Sequence, residues 1–238
     1  MNAKKFAVVA CLIFALISAL RPARQIQAQS DKTPYPTMAP AEQYLMDRDT
    51  EIALARSAAP ESISHDAKVV VLGRHGYETA VEGTNGFVCA VERSWMSQFD
   101  QPEFWNPKLR GAICYNPPAA RSIVPIANMR AQLVLAGLSK EQIISRIKAA
   151  YAKKELPTLE PGSMAYMMSK DAYLTDDGSS HNMAHLMFYT PLMDGSNWGA
   201  GLDKSPVYLI PVLKGPEPID VFIVATGKWS DGTPAPVM

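Results

Sequence analysis

The sequence predicts an α+β domain in which a mainly antiparallel sheet of about six or seven strands carries an N-terminal helix and a central helix pair. Short apolar or alternating runs, typical of strands, occur in two groups, one before residue 93 and one after residue 163. Helical periodicity and helix-capping residues lie between the two groups. This grouping favours an antiparallel sheet over the strict strand–helix alternation of a parallel one.

The first 28 residues have the organisation of a secretory signal peptide. Two lysines precede an apolar run over Phe6–Leu20, and Ala28 offers a small residue at the cleavage position. The run is short for a membrane span, although two arginines directly after it leave an uncleaved anchor as the alternative. We therefore expect a periplasmic or secreted protein without a transmembrane segment once the signal is removed.

The rest of the chain is long enough for one domain. We expect a disordered leader over 29–38, a single α+β domain over 39–232 and a frayed tail over 233–238. The signal holds four of the 23 basic residues and none of the 23 acidic ones, so the mature chain carries a net charge of −4. That mild acidity argues against nucleic acid as a partner.

Two cysteines, Cys89 and Cys114, remain after signal removal. In an oxidising compartment an even pair within one domain predicts a disulfide. In the chain-entropy model, closing the loop of about 25 residues is worth about 3 kcal/mol. Two separate buried thiols are the alternative, because the sequence does not show that the two Cα atoms lie close enough.

Three strands are predicted in the first group, over Lys68–Leu72, Tyr77–Glu82 and Phe87–Glu92. Asn85-Gly86 is a strong signal for a tight hairpin turn, because both residues tolerate a positive φ. The three strands are therefore predicted to form a meander, with Tyr77 and Phe87 in neighbouring antiparallel strands.

The predicted helices precede and follow this group of strands. The first runs from Pro40 to about Ser57, and the second runs over Ala119–Ala136 with Pro125 as a candidate break. Ser139–Gln142 has the residues of a capping box, which begins a third helix that extends to about Lys154. The second group of strands is expected at Met164–Ser169, His185–Tyr189, Val207–Val212 and Ile219–Ala225.

The segment Arg74-His75-Gly76, directly after the first strand, resembles the signature of the histidine phosphatase superfamily. The resemblance implies His75 as the nucleophile that accepts a phosphoryl group and Arg74 as a clamp on its oxygens. In that family the signature leads into a helix of a parallel α/β sheet, whereas strand-like residues follow here. The other interpretation is a polar turn between two strands, for which the flanking glycines supply unusual backbone angles.

His181 and His185 have the spacing of two metal ligands on one helix face. Their neighbours indicate a loop and a strand instead, and four residues along a strand span about 13 Å, too far to share one ion. The two histidines are thus weak metal candidates, and no metal or cofactor is predicted.

Two tryptophans lie in segments that suit a binding pocket. Trp105 belongs to an irregular, aromatic segment over Ser94–Pro118, and Trp198 belongs to the glycine-rich stretch Asp194–Leu202. We expect a ligand pocket between the two segments with both indoles as walls. The alternative is that each ring covers an edge of the core.

The segments Glu82–Cys89, Phe104–Pro107 and His185–Tyr189 resemble those of a family of exported bacterial proteins to which no activity is assigned. This resemblance implies location and single-domain character. Our first interpretation is therefore an exported domain that binds a small molecule or an envelope partner rather than an enzyme. The alternatives are a histidine-phosphatase-like phosphohydrolase that uses His75 and a non-catalytic structural or assembly protein of the envelope.

Overall fold

The computed structural model describes residues 34–176, 183–210 and 215–236, and it confirms an α+β fold with a mainly antiparallel sheet. Within the described residues, one mixed sheet contains eight strands, rather than six or seven. They are β1 (Lys68–Gly73), β2 (Gly76–Val81), β3 (Val88–Glu92), β4 (Gly111–Tyr115), β5 (Met164–Met167), β6 (His185–Pro191), β7 (Val207–Ile210) and β8 (Ile219–Ala225). The additional strand is β4, inside the segment predicted to be irregular. All five of its residues are buried, so it shows no polar alternation.

The helices are α1 (Arg48–Arg56), α2 (Glu61–Ser64), α3 (Pro117–Ser122), α4 (Val124–Leu135) and α5 (Lys140–Ala152). The N-terminal helix begins later than predicted, because Ala41–Tyr44 forms a 3₁₀ turn and the Asp47 carboxylate caps α1 by accepting the Thr50 N–H. The break near Pro125 and the Ser139 capping box are confirmed. The short helix α2 was not predicted.

The strand order is β2-β1-β3-β4-β5-β6-β8-β7, and among these eight described strands β1 and β3 are the one parallel pair of neighbours. The predicted meander is therefore wrong: β1 lies between β2 and β3, so Tyr77 and Phe87 are not in adjacent strands. The segment with Asn85-Gly86 crosses the start of β1 instead of reversing beside β2. The Asp66 carbonyl accepts the Thr84 N–H at 2.8 Å and so holds this crossing.

Gly83 makes the crossing possible. A Cβ placed on Gly83 would lie 2.0 Å from the backbone nitrogen of Lys68, much closer than two nonbonded atoms can approach. The backbone of the crossing segment therefore rests directly on the start of β1. Only glycine permits this approach without moving one of the two segments.

Alternate strand residues point to opposite faces of the sheet. On one face, which we call the helix-pair face, Ala90, Ile113 and Tyr115 belong to a core cluster shared with α4, α5 and the aromatic segment after β3. On the other, the α1 face, Cys89 and Val91 belong to a smaller cluster shared with α1. The N-terminal helix and the central helix pair thus cover opposite faces of the sheet.

Candidate ligand-binding site

A cavity lies on the helix-pair face, between the sheet and the wall formed by α4 and the segment after β3. It has a larger chamber of about 290 Å³ and an adjoining one of about 100 Å³, which share five lining residues. Most of the lining is apolar and comes from Met96, Leu109, Ile123, Ile126, Met167, Leu174, Met187, Ile210, Ile219, Val221 and Ile223. The predominance of flexible methionine and aliphatic side chains suits an adaptable apolar ligand.

The sheet leaves room for the cavity at one particular position. Glu92, the last residue of β3, pairs with Gly111, the first residue of β4. Because Gly111 has no side chain, the place beside Glu92 on the helix-pair face stays open. A Cβ on Gly111 would make ordinary contacts of 3.4 Å with the side-chain ends of Leu174 and Met167, so a larger residue here would extend into the cavity.

Glu92 lines both chambers of the cavity. Its carboxylate accepts a hydrogen bond from the Tyr115 hydroxyl, which fixes one of its two oxygens. Burial raises the pKa of Glu92 to about 7, although the Tyr115 hydrogen bond and the Arg130 charge oppose the rise. A carboxyl group with this pKa is shared between its protonated and ionised forms near neutral pH.

Arg130 of α4 also lines both chambers, but its charge is already compensated. Its Nε and Nη2 atoms each donate to an oxygen of Glu217 at 2.7 Å, and both side chains are only 6% exposed. Its Nη1 donates to the carbonyls of Trp95 and Ser97. This two-atom ion pair therefore fastens α4 to the segment after β3 and to the residues before β8.

Arg93, which lines the larger chamber, is similarly engaged. Its guanidinium forms an ion pair with Glu51 at 2.9 Å and donates to the carbonyls of Tyr44 and Val91. Arg93 is fully buried and Glu51 is 1% exposed. The arginine thus ties the 3₁₀ turn at Ala41–Tyr44 and helix α1 to the residue that follows β3.

His185 of β6 contributes a basic nitrogen to the larger chamber. Its Nδ1 lies 2.6 Å from the Met183 carbonyl oxygen, which only accepts hydrogen bonds, so Nδ1 carries the proton. Burial lowers the pKa of His185, which keeps the ring neutral at pH 7. In the neutral ring Nε2 is the acceptor, and it is the ring nitrogen left for a ligand.

Tyr115 and Tyr189 stack at the edge of the cavity with ring centroids 6.4 Å apart. Burial and the neighbouring Glu92 raise the pKa of both hydroxyls well above the ordinary value of 10.0, so both stay protonated. Their rings and the Glu92 carboxylate form the polar end of a largely apolar cavity.

Arg74 and His75 lie away from this cavity, in the two-residue turn between the paired Gly73 and Gly76 that joins β1 to β2. Both are exposed, and Arg74 forms an ion pair with Glu42 at 3.1 Å. The chain leaves Gly76 as a strand antiparallel to β1, not as a helix. The segment therefore has the geometry of a polar turn between two strands, which was the other interpretation of the sequence.

The two tryptophans proposed as pocket walls belong to different clusters. Trp105 is 6% exposed and packs edge-on against Phe104 in the core of the helix-pair face. Trp198 is 37% exposed and stacks on Phe222, with ring centroids 4.5 Å apart. Phe222 follows Val221 in β8, and Val221 belongs to the core of the helix-pair face. Consecutive strand residues point to opposite faces, so the ring of Phe222 points to the α1 face. The structure does not bring the two indoles together.

Cys89 and Cys114 occupy directly paired positions of β3 and β4 and form the disulfide, with Sγ atoms 2.02 Å apart. This disulfide is compatible with a location outside the cytoplasm. His181, one of the weak metal candidates, lies outside the described residues. Within the described ranges, no three histidine, cysteine, aspartate or glutamate side chains converge as a metal site would require.

Glu92, Arg130 and Glu217 were not predicted as site residues from the sequence. A signal existed for the first two, because Glu92 ends an apolar strand and Arg130 interrupts the apolar residues of α4. Charged residues in such stretches are buried only when they are paired or functional. Glu217 offered no such signal, because it lies between Pro216 and Pro218 in a segment typical of a surface turn.

In comparisons with protein-family models, curated proteins and solved structures, nothing matches this chain. In the part of the chain that the structure describes, no helix combines the length and the apolar character needed to cross a membrane.

Proposed function

We propose that the protein binds a small, largely apolar molecule in the cavity on the helix-pair face. The observation that carries this proposal is the cavity itself, in which an apolar lining surrounds polar groups from β3 and β6. A natural ligand site has this composition, since apolar contacts provide affinity and a few fixed polar groups provide orientation. The compensated arginines give the site rigid walls.

The disulfide and the signal-like N-terminus support the further proposal that binding takes place in the periplasm or outside the cell. A binding role fits the first interpretation of the sequence. Glu92 and His185 are also groups that can exchange protons, but binding requires fewer assumptions than catalysis, because the cavity already supplies what binding needs.

The experiment compares the wild type with Gly111→Val in a thermal-shift screen of small apolar compounds. Valine suits a strand and extends into the cavity, so we expect the variant to fold and to lose binding. A compound at 100 times its Kd stabilises the wild type by about 2.7 kcal/mol. For a chain of this size, that is a rise in Tm on the order of 5–10 °C.

The matched control is Thr79→Val, which adds the same side chain at an exposed position of the edge strand β2. It should retain every thermal shift of the wild type. Shifts that persist in Gly111→Val would place binding elsewhere and overturn the proposal. The same preparations test the phosphohydrolase alternative: hydrolysis of p-nitrophenyl phosphate that disappears in His75→Ala would favour that function instead.

A further inference from the structure

Two polar groups of the cavity lining can accept hydrogen bonds from an occupant. Arg130 and Arg93 are the cationic lining residues that the structure describes, and each is engaged with its own glutamate and with backbone carbonyls. The second oxygen of Glu92 and Nε2 of His185 also face the cavity. Both accept hydrogen bonds.

Among the described residues that line the cavity, Glu92 is an acidic residue without an ion pair. Among the described residues, no lysine, arginine or histidine lies within ion-pair distance of its carboxylate. A carboxylate facing an apolar cavity is unfavourable unless a cation or several hydrogen bonds compensate for its lost hydration. Tyr115 supplies one hydrogen bond, so the remaining deficit corresponds to a cation with donor hydrogens.

We propose that the ligand of this cavity is a small amine, whose ammonium group pairs with Glu92 and whose apolar body lies among the methionine and aliphatic side chains. This inference rests on the proposed function, because it assigns a ligand class to the same cavity. An ammonium group supplies both missing elements, a positive charge and several donor hydrogens. The ring of Tyr189, which lines the smaller chamber, adds a favourable surface for a cation.

The ligand class implies a dependence of affinity on pH. The charged and titratable groups packed around Glu92 are Tyr77, Arg93, Tyr115, Arg130, His185, Tyr189 and Glu217. The raised pKa values of the tyrosines keep them protonated and burial lowers the pKa of His185, whereas burial brings the pKa of Glu92 into the range between pH 6 and 8. With a pKa of about 7, its ionised fraction rises from roughly 10% to roughly 90% over that range.

The experiment uses three probes with the same six-carbon body: hexylamine, hexanol and hexanoate. At pH 8 we expect calorimetry to show that hexylamine binds at least tenfold more tightly than hexanol, and that hexanoate binds weakest. Between pH 6 and 8 the affinity for hexylamine should rise roughly ninefold, because an amine stays protonated across this range while Glu92 ionises. The affinity for hexanol should change much less.

Glu92→Gln should bring the affinities for hexylamine and hexanol within about twofold of each other. Glu42→Gln is the matched control, since Glu42 is an exposed glutamate paired with Arg74, and it should retain the preference for the amine. If Glu92→Gln fails to fold, the pH series on the wild type decides. Equal affinity for hexylamine and hexanol, or a preference for hexylamine that is the same at pH 6 and 8, would overturn the assignment.

The two proposals fail in different ways. Binding of hexanol that is lost in Gly111→Val, without a preference for hexylamine, would retain the cavity as a ligand site and reject the amine. If the wild type binds none of the three probes at millimolar concentration, the amine assignment is rejected. If it also gives no shift in the compound screen, the proposed function falls with it.

Discussion

Two arginines, Arg130 and Arg121, allow a buried ion pair to be compared with an exposed one. Each donates hydrogen bonds from two of its nitrogen atoms to the carboxylate of a glutamate. The Arg130–Glu217 side chains are 6% exposed, whereas the Arg121 and Glu160 side chains are 60% and 38% exposed. We expect Arg130→Ala to lower the free energy of unfolding by about 3–5 kcal/mol, because it leaves Glu217 buried without a countercharge. Arg121→Ala should cost less than about 1 kcal/mol.

Urea unfolding of the two variants measures this difference. The comparison controls for the loss of an arginine side chain and of its two hydrogen bonds to a carboxylate. Equal costs for the two variants would show that burial of the Arg130 pair does not determine its contribution.

Glu92 makes stability depend on pH in an unusual direction. Its pKa in the folded protein, about 7, lies above the ordinary value of 4.5, so the folded state binds more protons between these values. Raising the pH from 4.5 to above 7 should therefore remove about 3 kcal/mol of stability that this group contributes when protonated. Glu92→Gln, which cannot ionise, should lack this loss.

The measurement is the difference in unfolding free energy between Glu92→Gln and the wild type at several pH values. Taking this difference removes the contributions of the other titrating groups to the free energy of unfolding. One of them is His185, whose lowered pKa makes the folded state more stable as the pH rises. A difference that stays constant from pH 4.5 to 8 would contradict the raised pKa of Glu92.

The segment that joins β2 to β3 crosses the start of β1, and its close approach depends on one residue, Gly83. Gly83→Ala should destabilise the protein by about 3 kcal/mol, the upper end of the cost of overpacking, because the new Cβ would lie 2.0 Å from the Lys68 nitrogen. Gly162→Ala is the control. Gly162 has a φ of +80° and no neighbour within 4 Å of an added Cβ, so only its backbone conformation opposes alanine, at a cost of about 1 kcal/mol.

Thermal or urea unfolding checks this prediction. If Gly83→Ala is no less stable than Gly162→Ala, the close approach of the crossing segment to β1 is not a constraint on the fold. The same result would favour the hairpin that the sequence predicted.

The sequence predicted where helices and strands lie along the chain better than it predicted which strands lie side by side in the sheet. The capping box of α5, the break before α4 and most strand positions depend on local preferences, which the residues carry themselves. The position of β1 between β2 and β3 depends on contacts between Gly83, Asp66 and Lys68 that are not local to the turn. Asn85-Gly86 permits a tight turn but does not specify which strand lies beside the next one.

For the molecule as a whole, the α+β class could be predicted because strands and helices occur in separate groups along the chain. The ligand site could not be predicted, because its residues come from distant parts of the sequence. Glu92 and Arg130 stand out in the sequence only as charged residues in apolar stretches, and nothing in the sequence shows that they and Glu217 meet at one cavity. The conspicuous motif, Arg74-His75-Gly76, instead forms an exposed turn.

The ion pair between Arg130 and Glu217 joins positions 87 residues apart. Four residues of the cavity wall, Glu217, Ile219, Val221 and Ile223, lie in β8 or directly before it. The wall is therefore incomplete until β8 pairs with β6, whatever the order in which the other elements form.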